Sequence, residues 1–426
     1  MSRKVLIVAY YWPPAGGPGV QRWLKFVKYL PEFGIEPHVY VPENPMYPIV
    51  DESLVKEVPA SVKIIRRKIF EPYGIASLFT TKSVRKLTSG IIPSERKQTF
   101  FERIALWVRG NLFIPDARVF WVRPSVKFLG KYLDENGIDT IITTGPPHSL
   151  HLIGLKLKQK FNVRWIADFR DPWTSIGYQK QLKLSALAEE KHIRLEKEVL
   201  ENADLILVTS PSTKTEFEAI TTKPIEVITN GYDVDVACSN TLDKKFTLSH
   251  IGSLLSERNP VILWQVLHEL VRDEPEFAAH FRLQLVGTVS HDVLASISAY
   301  DLEAYTDFVG YVSHEEAVSY QKNSQVLLLI EINSLETRSI IPGKLFEYMV
   351  SCRPVIAIGP TGSDFADIID ETHIGVFVDY SEKEKLREAV LQYFMKFRAG
   401  DLSVSAVGTQ KYSRRELTAR LAKLIG

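Results

Sequence analysis

The stretch Ile340-Ile341-Pro342-Gly343-Lys344-Leu345-Phe346-Glu347-Tyr348-Met349 is followed by Ser351-Cys352-Arg353-Pro354 and the apolar run Val355-Ile356-Ala357-Ile358-Gly359. It reads as a loop entering a helix, then a buried strand. Pro342 and Gly343 stand where the helix begins, and the free backbone N–H groups of a first turn favour a phosphate. Lys344 adds a full positive charge there. Glu347 lies about one turn further on, with Leu345, Phe346 and Met349 available for burial. Cations for a diphosphate and an acceptor for ribose hydroxyls suit a nucleotide. The same ten residues also read as an ordinary amphipathic helix with Lys344 and Glu347 in water.

A chain of 426 residues exceeds what one hydrophobic core usually serves, so two domains of roughly 200 residues each are expected. Lys and Arg number 52 against 51 Asp and Glu, and this near balance gives no ground for a nucleic-acid partner. The charge is unevenly spread. Residues 61–130 hold 14 Lys and Arg against Glu71, Glu95, Glu102 and Asp116, a local +10 that leaves the remainder at −9. Such a segment suggests a surface that meets something anionic, including a peripheral contact with the inner face of a membrane. Cys238 and Cys352 show neither metal spacing nor a disulfide framework, which fits a reducing compartment. The apolar run Val5–Ala9 is too short for a signal-peptide core, and no apolar run reaches membrane-spanning length. A cytoplasmic location is expected.

Val5 to Tyr10 reads as a buried strand and Val20 to Leu30 as a helix, joined by Pro13-Pro14-Ala15-Gly16-Gly17-Pro18-Gly19. Such a turn lets backbone approach a phosphate or sugar, or is simply structural; it lacks the G-x-G-x-x-G order of dinucleotide folds. Further strands are expected at Pro37 to Val41 and Val62 to Ile65. Lys97 to Arg109 reads as a helix with Phe100, Phe101, Ile104, Trp107 and Val108 near one face and Gly110 as its stop. That face fits either a membrane interface or the domain core.

The strand Ile138 to Thr144 ends in Thr144-Gly145-Pro146-Pro147-His148-Ser149, and Val163 to Ala167 ends in Asp168-Phe169-Arg170-Asp171-Pro172-Trp173. Ligands of open parallel sheets bind beyond the carboxyl ends of strands. His148 and Asp171 are therefore candidates to orient or accept from a hydroxyl, although His148 also suits a helix cap and Asp168 a bond to Arg170 within its own turn. Leu205 to Thr209 and Ile225 to Ile228 continue the series, and a polar stretch from Asn230 to about Lys245 reads as a linker.

The pattern then repeats. Phe246 to Ile251 leads into a Gly252 loop whose only nearby cation is Arg258, and strands are expected at Leu283 to Gly287, Asp307 to Gly310, Val326 to Ile330, Val355 to Gly359 and Gly375 to Val378. Alternating strands and helices in both halves imply two doubly wound parallel sheets. The boundaries read as 1–235 and 246–400, with 401–426 a terminal segment crossing back to the first domain.

Together these motifs resemble the family 4 glycosyltransferases, in the branch that builds bacterial surface polysaccharides. The resemblance is carried by Tyr10-Tyr11-Trp12-Pro13-Pro14 with Gly16-Gly17, Thr144 to Ser149, Asp168 to Trp173, Asn230-Gly231-Tyr232-Asp233, the Gly252 loop with Arg258, Phe308 to Val312, and Pro342 to Met349. It implies the α/β GT-B fold, two Rossmann-like domains facing a cleft, with the acceptor on the N-terminal domain and a nucleotide sugar on the C-terminal one. It implies that Gly16 and Gly17 lie near the diphosphate and acceptor, that Arg258 and Lys344 neutralise the leaving nucleoside diphosphate, that main chain around Tyr311 contacts the base, and that Glu347 takes the ribose hydroxyls. Pro342, Gly343, Gly252 and Ser253 complete the donor-site positions. The implied chemistry is retaining sugar transfer to a glycan or lipid-linked hydroxyl, with no metal or other cofactor.

Two positions depart from the family pattern. Ser339 stands where a second Glu is usual, eight residues before Glu347, and Ser253 stands where an Arg usually follows the glycine; Glu336 and Arg338 are nearby charged residues. A non-catalytic relative that keeps the fold and a nucleotide-sugar epimerase are the competing readings.

Overall fold

The architecture follows from a computed structural model that describes residues 3–71, 100–175, 177, 182–233 and 241–426. Two units emerge, one of Met1–Asn230 with Arg414–Gly426, the other of Gly231–Ser413.

The first unit carries strands β1 (Arg3–Val8), β2 (Ile35–Pro42), β3 (Lys63–Arg67), β4 (Thr140–Gly145), β5 (Arg164–Phe169), β6 (Leu205–Val208) and β7 (Ile225–Val227). They form one sheet in the order β3-β2-β1-β4-β5-β6-β7, and the pairings are parallel. The second carries β8 (Phe246–Ile251), β9 (Phe281–Val286), β10 (Thr306–Gly310), β11 (Val326–Ile330), β12 (Val355–Gly359) and β13 (Gly375–Asp379), in the order β10-β9-β8-β11-β12-β13 and again parallel. The doubly wound parallel architecture expected from the alternating pattern is what the chain forms.

The uniformly apolar strands have a physical cause. Successive side chains point to opposite faces, so each strand feeds two cores. In the first unit Leu6, Val8, Ile141 and Ala167 enter one cluster and Val5, Ile7, Ile142 and Ile166 the other. Leu248, Leu285, Leu328 and Ile356 alternate likewise with Ile251, Val286, Leu329 and Val355 in the second. Burying one such side chain contributes about 1.5–3 kcal/mol. The terminal helix Arg414–Ile425 inserts Leu417, Leu421 and Ile425 into the first unit's core beside Trp23 and Val27.

Both sheets reverse winding direction between their first and fourth strands, at β1/β4 and at β8/β11. The loops after these strands open the crevice where ligands of doubly wound sheets bind.

In the first unit that crevice rests on a buried ion pair. Arg22 donates to Asp168 through Nη2 (2.8 Å) and Nε (3.3 Å), and through Nη1 to the carbonyls of Ile228 (2.8 Å) and Thr229 (2.9 Å). Asp168 also accepts from Trp23 Nε1 (2.7 Å) and Thr144 Oγ1 (2.8 Å). Asp168 thus bonds Arg22 in the first helix, where the sequence offered Arg170 in its own turn. Burial pushes the carboxyl up, but the adjacent guanidinium and these hydrogen bonds more than offset it, and the group ends below its usual value.

Three further expectations change. Gly110 lies inside the helix Phe100–Leu112, where a Cβ would meet Leu184 Cδ2 at 2.7 Å, so it serves close packing and is not the stop. That helix turns Leu106 and Gly110 inward and leaves Ile104 and Trp107 exposed at 44% and 47%; the side chains of Phe100 and Phe101, and Lys82, Arg85, Lys86, Arg96 and Lys97 of the basic segment, fall outside the described residues. Cys352 is disulfide-bonded, against the reading from spacing, because sequence separation says nothing of distance in the fold. No helix among the described residues is long and apolar enough to cross a membrane.

Removing one partner of a buried pair leaves an uncompensated charge, at a cost of about 3–5 kcal/mol. Arg22→Ala should destabilise the first unit by that much at neutral pH, read from its urea titration. Because the folded-state value of Asp168 is depressed, its contribution is present above the ordinary carboxylate range and lost as pH falls through the lowered value. Urea titrations of wild type and variant should converge in acid; parallel curves at all pH values would refute the assignment.

Candidate functional site

In the second unit the loop after β8 begins at Gly252, with φ 122°, a conformation that favours glycine. A Cβ there would lie 2.1 Å from Lys344 Nζ, so the ammonium rests directly on the glycine backbone. Lys344 is on the helix Gly343–Met349, anchored by Leu345, Phe346, Tyr348 and Met349 in the core against β8, β11 and β12. Tyr348 Oη also receives the Ile251 N–H at 3.2 Å, tying this helix to the end of β8.

Arg258 closes the short turn Ser256–Arg258 and donates to Glu331 Oε1 through Nη2 (3.0 Å) and Nε (3.2 Å). Lys344 makes no hydrogen bond or ion pair within ordinary distance among the described residues. Burial lowers its ammonium to about 8; the charge of Arg258 adds to the fall, and Glu347 and Glu331 oppose it. Two cations therefore share the crevice with one of them unpaired, an arrangement that an anion relieves. His250 beneath them is buried, its Nδ1 3.1 Å from the Leu328 carbonyl, and burial with the neighbouring cations drops it to about 3, so it stays neutral.

Glu347 is exposed and accepts from Gln321 Nε2 at 2.9 Å. Pro342 is the residue before the helix, and a Cβ on Gly343 would meet nothing within 4 Å, which leaves room for close approach. The helix has only seven residues, so its dipole is a minor contribution and the side-chain cations dominate. Gly310, with φ 80°, accepts the Gly287 N–H at 2.7 Å, and Tyr311 beside it is 90% exposed. Ser253 is exposed and Ser339 half-buried. Gly252, Arg258, Lys344 and Glu347 thus gather around the ends of β8 and β11, while Tyr311 stands at the end of β10.

In the first unit the loop after β1 is clamped by the segment Ile49–Asp51: Gly16 donates to the Ile49 carbonyl (3.0 Å) and Asp51 to that of Pro14 (2.7 Å). Gly17, at φ 99°, precedes the helix Pro18–Tyr29 and has open space where a Cβ would be. Arg170 Nε donates to the Gly145 carbonyl at 3.2 Å, and its guanidinium fills the space a Cβ on Gly19 would need, which ties the loops after β1 and β4 together. Asp171 follows it. Burial pushes that carboxyl up, against the pull of Arg170.

His148 lies inside the core, stacked on Trp173 at 4.8 Å between ring centroids, with neither ring nitrogen hydrogen-bonded among the described residues. It occupies the position before the helix Ser149–Lys160 without a side-chain cap. Burial, with His151 next to it, holds its imidazole well below the usual value, so it is neutral and packed away from water. Glu331 and Gln321 were missed by the sequence reading, and Arg170 entered it only as a turn partner for Asp168; the signal for Glu331 was its place immediately after β11, at the winding reversal.

The model for Glycosyltransferase Family 4 matches residues 19–236, and that for Glycosyl transferases group 1 matches residues 245–395. No curated protein sequence matches the chain. Among solved structures, the chain is similar to the sucrose-phosphate synthase of Thermosynechococcus elongatus (18% identity, 99% of this chain and 98% of that one, TM-score 0.59). HepE of Anabaena in complex with UDP and glucose aligns over 99% of both chains at 12% identity and TM-score 0.61. A glycosyltransferase from Rickettsia africae ESF-5 aligns over 100% of this chain and 98% of its own at 13% identity and TM-score 0.57. At these identities the structural likeness shows the fold, which is GT-B.

Lys344 carries its charge below about pH 8 and loses it above, so affinity for a nucleoside diphosphate should fall as pH rises through that value. Charge-assisted hydrogen bonds of this kind are worth about 1.5–3 kcal/mol, so Lys344→Met should weaken binding roughly 10- to 100-fold at pH 7 and abolish the decline at higher pH. Calorimetric titration with UDP and GDP checks both; equal affinities in wild type and variant would remove Lys344 from the site.

Proposed function

Because the chain belongs to glycosyltransferase family 4, we propose that it moves a sugar from a nucleoside-diphosphate donor to a hydroxyl of a glycan or lipid-linked acceptor, with retained anomeric configuration, in polysaccharide or glycoconjugate synthesis. The observation that supports this reading most is the unpaired Lys344 ammonium set on the Gly252 backbone beside Arg258. A diphosphate is the polyanion this pair suits, and it is the leaving group of the reaction.

In this reading the C1–O bond to the diphosphate breaks while the acceptor oxygen forms a new bond to C1, and the hydroxyl proton passes to the departing phosphate oxygen. As the sugar becomes oxocarbenium-like, negative charge grows on the diphosphate, where Arg258 and Lys344 are already oriented; preorganised charge of this sort lowers the barrier because nothing reorganises during reaction. The scheme assigns charge neutralisation to side chains and calls on no metal. Glu347, steadied by Gln321, takes the ribose hydroxyls, and main chain near Tyr311 meets the base. In the first unit, Gly16 and Gly17 give the acceptor close access to backbone, and Asp171 orients it by accepting from a second hydroxyl, so that the reacting one keeps its proton for the phosphate. His148 supports that loop through its stack on Trp173 and does not touch substrate. The exposed Ile104 and Trp107, with the Lys- and Arg-rich sequence of residues 61–130, suit a lipid-linked acceptor presented at a membrane face.

The test is release of nucleoside diphosphate from a panel of nucleotide sugars with candidate acceptors. Arg258→Ala should lower kcat by about 100-fold or more, as for loss of a group that stabilises developing charge. Glu347→Ala should mainly raise the donor KM, about 10-fold for one lost hydrogen-bonded pair to a charged group. Normal kinetics in both variants would refute these two roles.

A further inference from the structure

The Arg258 guanidinium is held by a carboxylate of unequal exposure: the Glu331 side chain is 2% accessible, that of Arg258 32%. Glu331 follows β11 directly, and its main chain is fixed on both sides, the N–H donating to the Ile358 carbonyl (2.9 Å) and the C=O accepting from Tyr380 Oη (2.7 Å). Three N–H donors meet at Oε1: Arg258 Nη2, Arg258 Nε and the Ile332 amide at 2.8 Å. The carboxylate therefore grips the inner edge of the guanidinium and leaves its Nη1 edge without a protein hydrogen bond among the described residues.

We propose that Glu331 is the positioning residue of the donor site, the buried carboxylate that presents the Nη1 edge of Arg258 to the diphosphate and stays paired with it when the donor binds. The inference rests on the donor-site reading above. Its physical basis is the asymmetry. A buried carboxylate stripped of its cation is costly, whereas a partly exposed guanidinium has donors to spare. Binding thus adds an anion to the outer edge without breaking the inner contact, and a long, rotamer-rich side chain is already ordered before the ligand arrives. A carboxylate this near also draws on Lys344, whose ammonium faces Arg258, Glu331, Glu347 and the neutral His250, with Tyr380 close to Glu331 and Arg258.

The opposite expectation is specific. If Glu331 only neutralised the crevice, removing its charge would strengthen anion binding. Glu331→Gln is measured with UDP and GDP by calorimetry, alone and combined with Arg258→Ala, and Glu331→Asp serves as the variant that keeps the charge but shortens the reach. Positioning requires about 10-fold weaker binding in Glu331→Gln and no further loss when it is added to Arg258→Ala, as expected for groups acting through one another. Tighter binding in Glu331→Gln, or an equal loss in the Arg258→Ala background, overturns the proposal.

A second readout needs no nucleotide. The pH dependence of Lys344 acetylation by acetic anhydride, read by mass spectrometry, should have a midpoint near 8 in wild type, a lower one in Glu331→Gln and one near wild type in Glu331→Asp. An unchanged midpoint in Glu331→Gln overturns the proposal even if the protein is folded and active. Absence of nucleoside-diphosphate binding by wild type, with the midpoint shift present, would instead count against the donor-site reading and leave the coupling of Glu331 to the crevice in place.

Discussion

Two positive charges forced together at the end of a parallel sheet, with one buried carboxylate paired to the first of them, are what the second unit is built to hold. Arg258 comes from the turn after β8, Glu331 from the end of β11 and Lys344 from the helix before β12. These segments meet only because β8 and β11 are neighbours. The Gly252 backbone, lacking a Cβ, gives Lys344 somewhere to lie, and the core beneath supplies the burial that brings its ammonium to about 8. A site with spare positive charge and little water gains more from a polyanion than either cation would in bulk solvent.

The first unit uses charge differently. Asp168 and Arg22 are saturated by one another, by Trp23 and Thr144, and by the carbonyls of Ile228 and Thr229, so their pairing is structural. It fastens the first helix to the ends of β4, β5 and β7. Arg170, two residues later, then bridges the loops after β1 and β4, which shapes the surface on which Gly17 and Asp171 stand. The acidic residue inside a saturated network is a framework residue, and Asp171, three residues on, stands outside that network.

Much of the candidate site was legible for simple reasons. Gly252, Arg258, Lys344 and Glu347 fall in short segments whose spacing from a strand end or helix start is itself the information. Glu331 was not singled out because a lone acid after an apolar run looks like any solvated strand end; its meaning lies in Arg258, 73 residues away. His148 misled for the converse reason. A histidine just past a strand looks available, but the chain packs Trp173 flat against it and excludes water. The helix Phe100–Leu112 was placed nearly correctly but its stop was misread, since Gly110 marks close contact with Leu182 and Leu184 rather than an end.

By itself the sequence determined the element series, the two parallel sheets and the family of this glycosyltransferase, because strand burial on both faces and glycine-bearing turns leave periodic traces in local composition. Tertiary structure alone decided which charges pair and which stay open: Arg22 with Asp168, Arg258 with Glu331, and Lys344 with no partner within ordinary distance among the described residues. Those choices depend on strand order and on distances of a few ångströms between segments remote in the chain. Electrostatic energy varies too steeply with separation and burial for residue spacing to encode it.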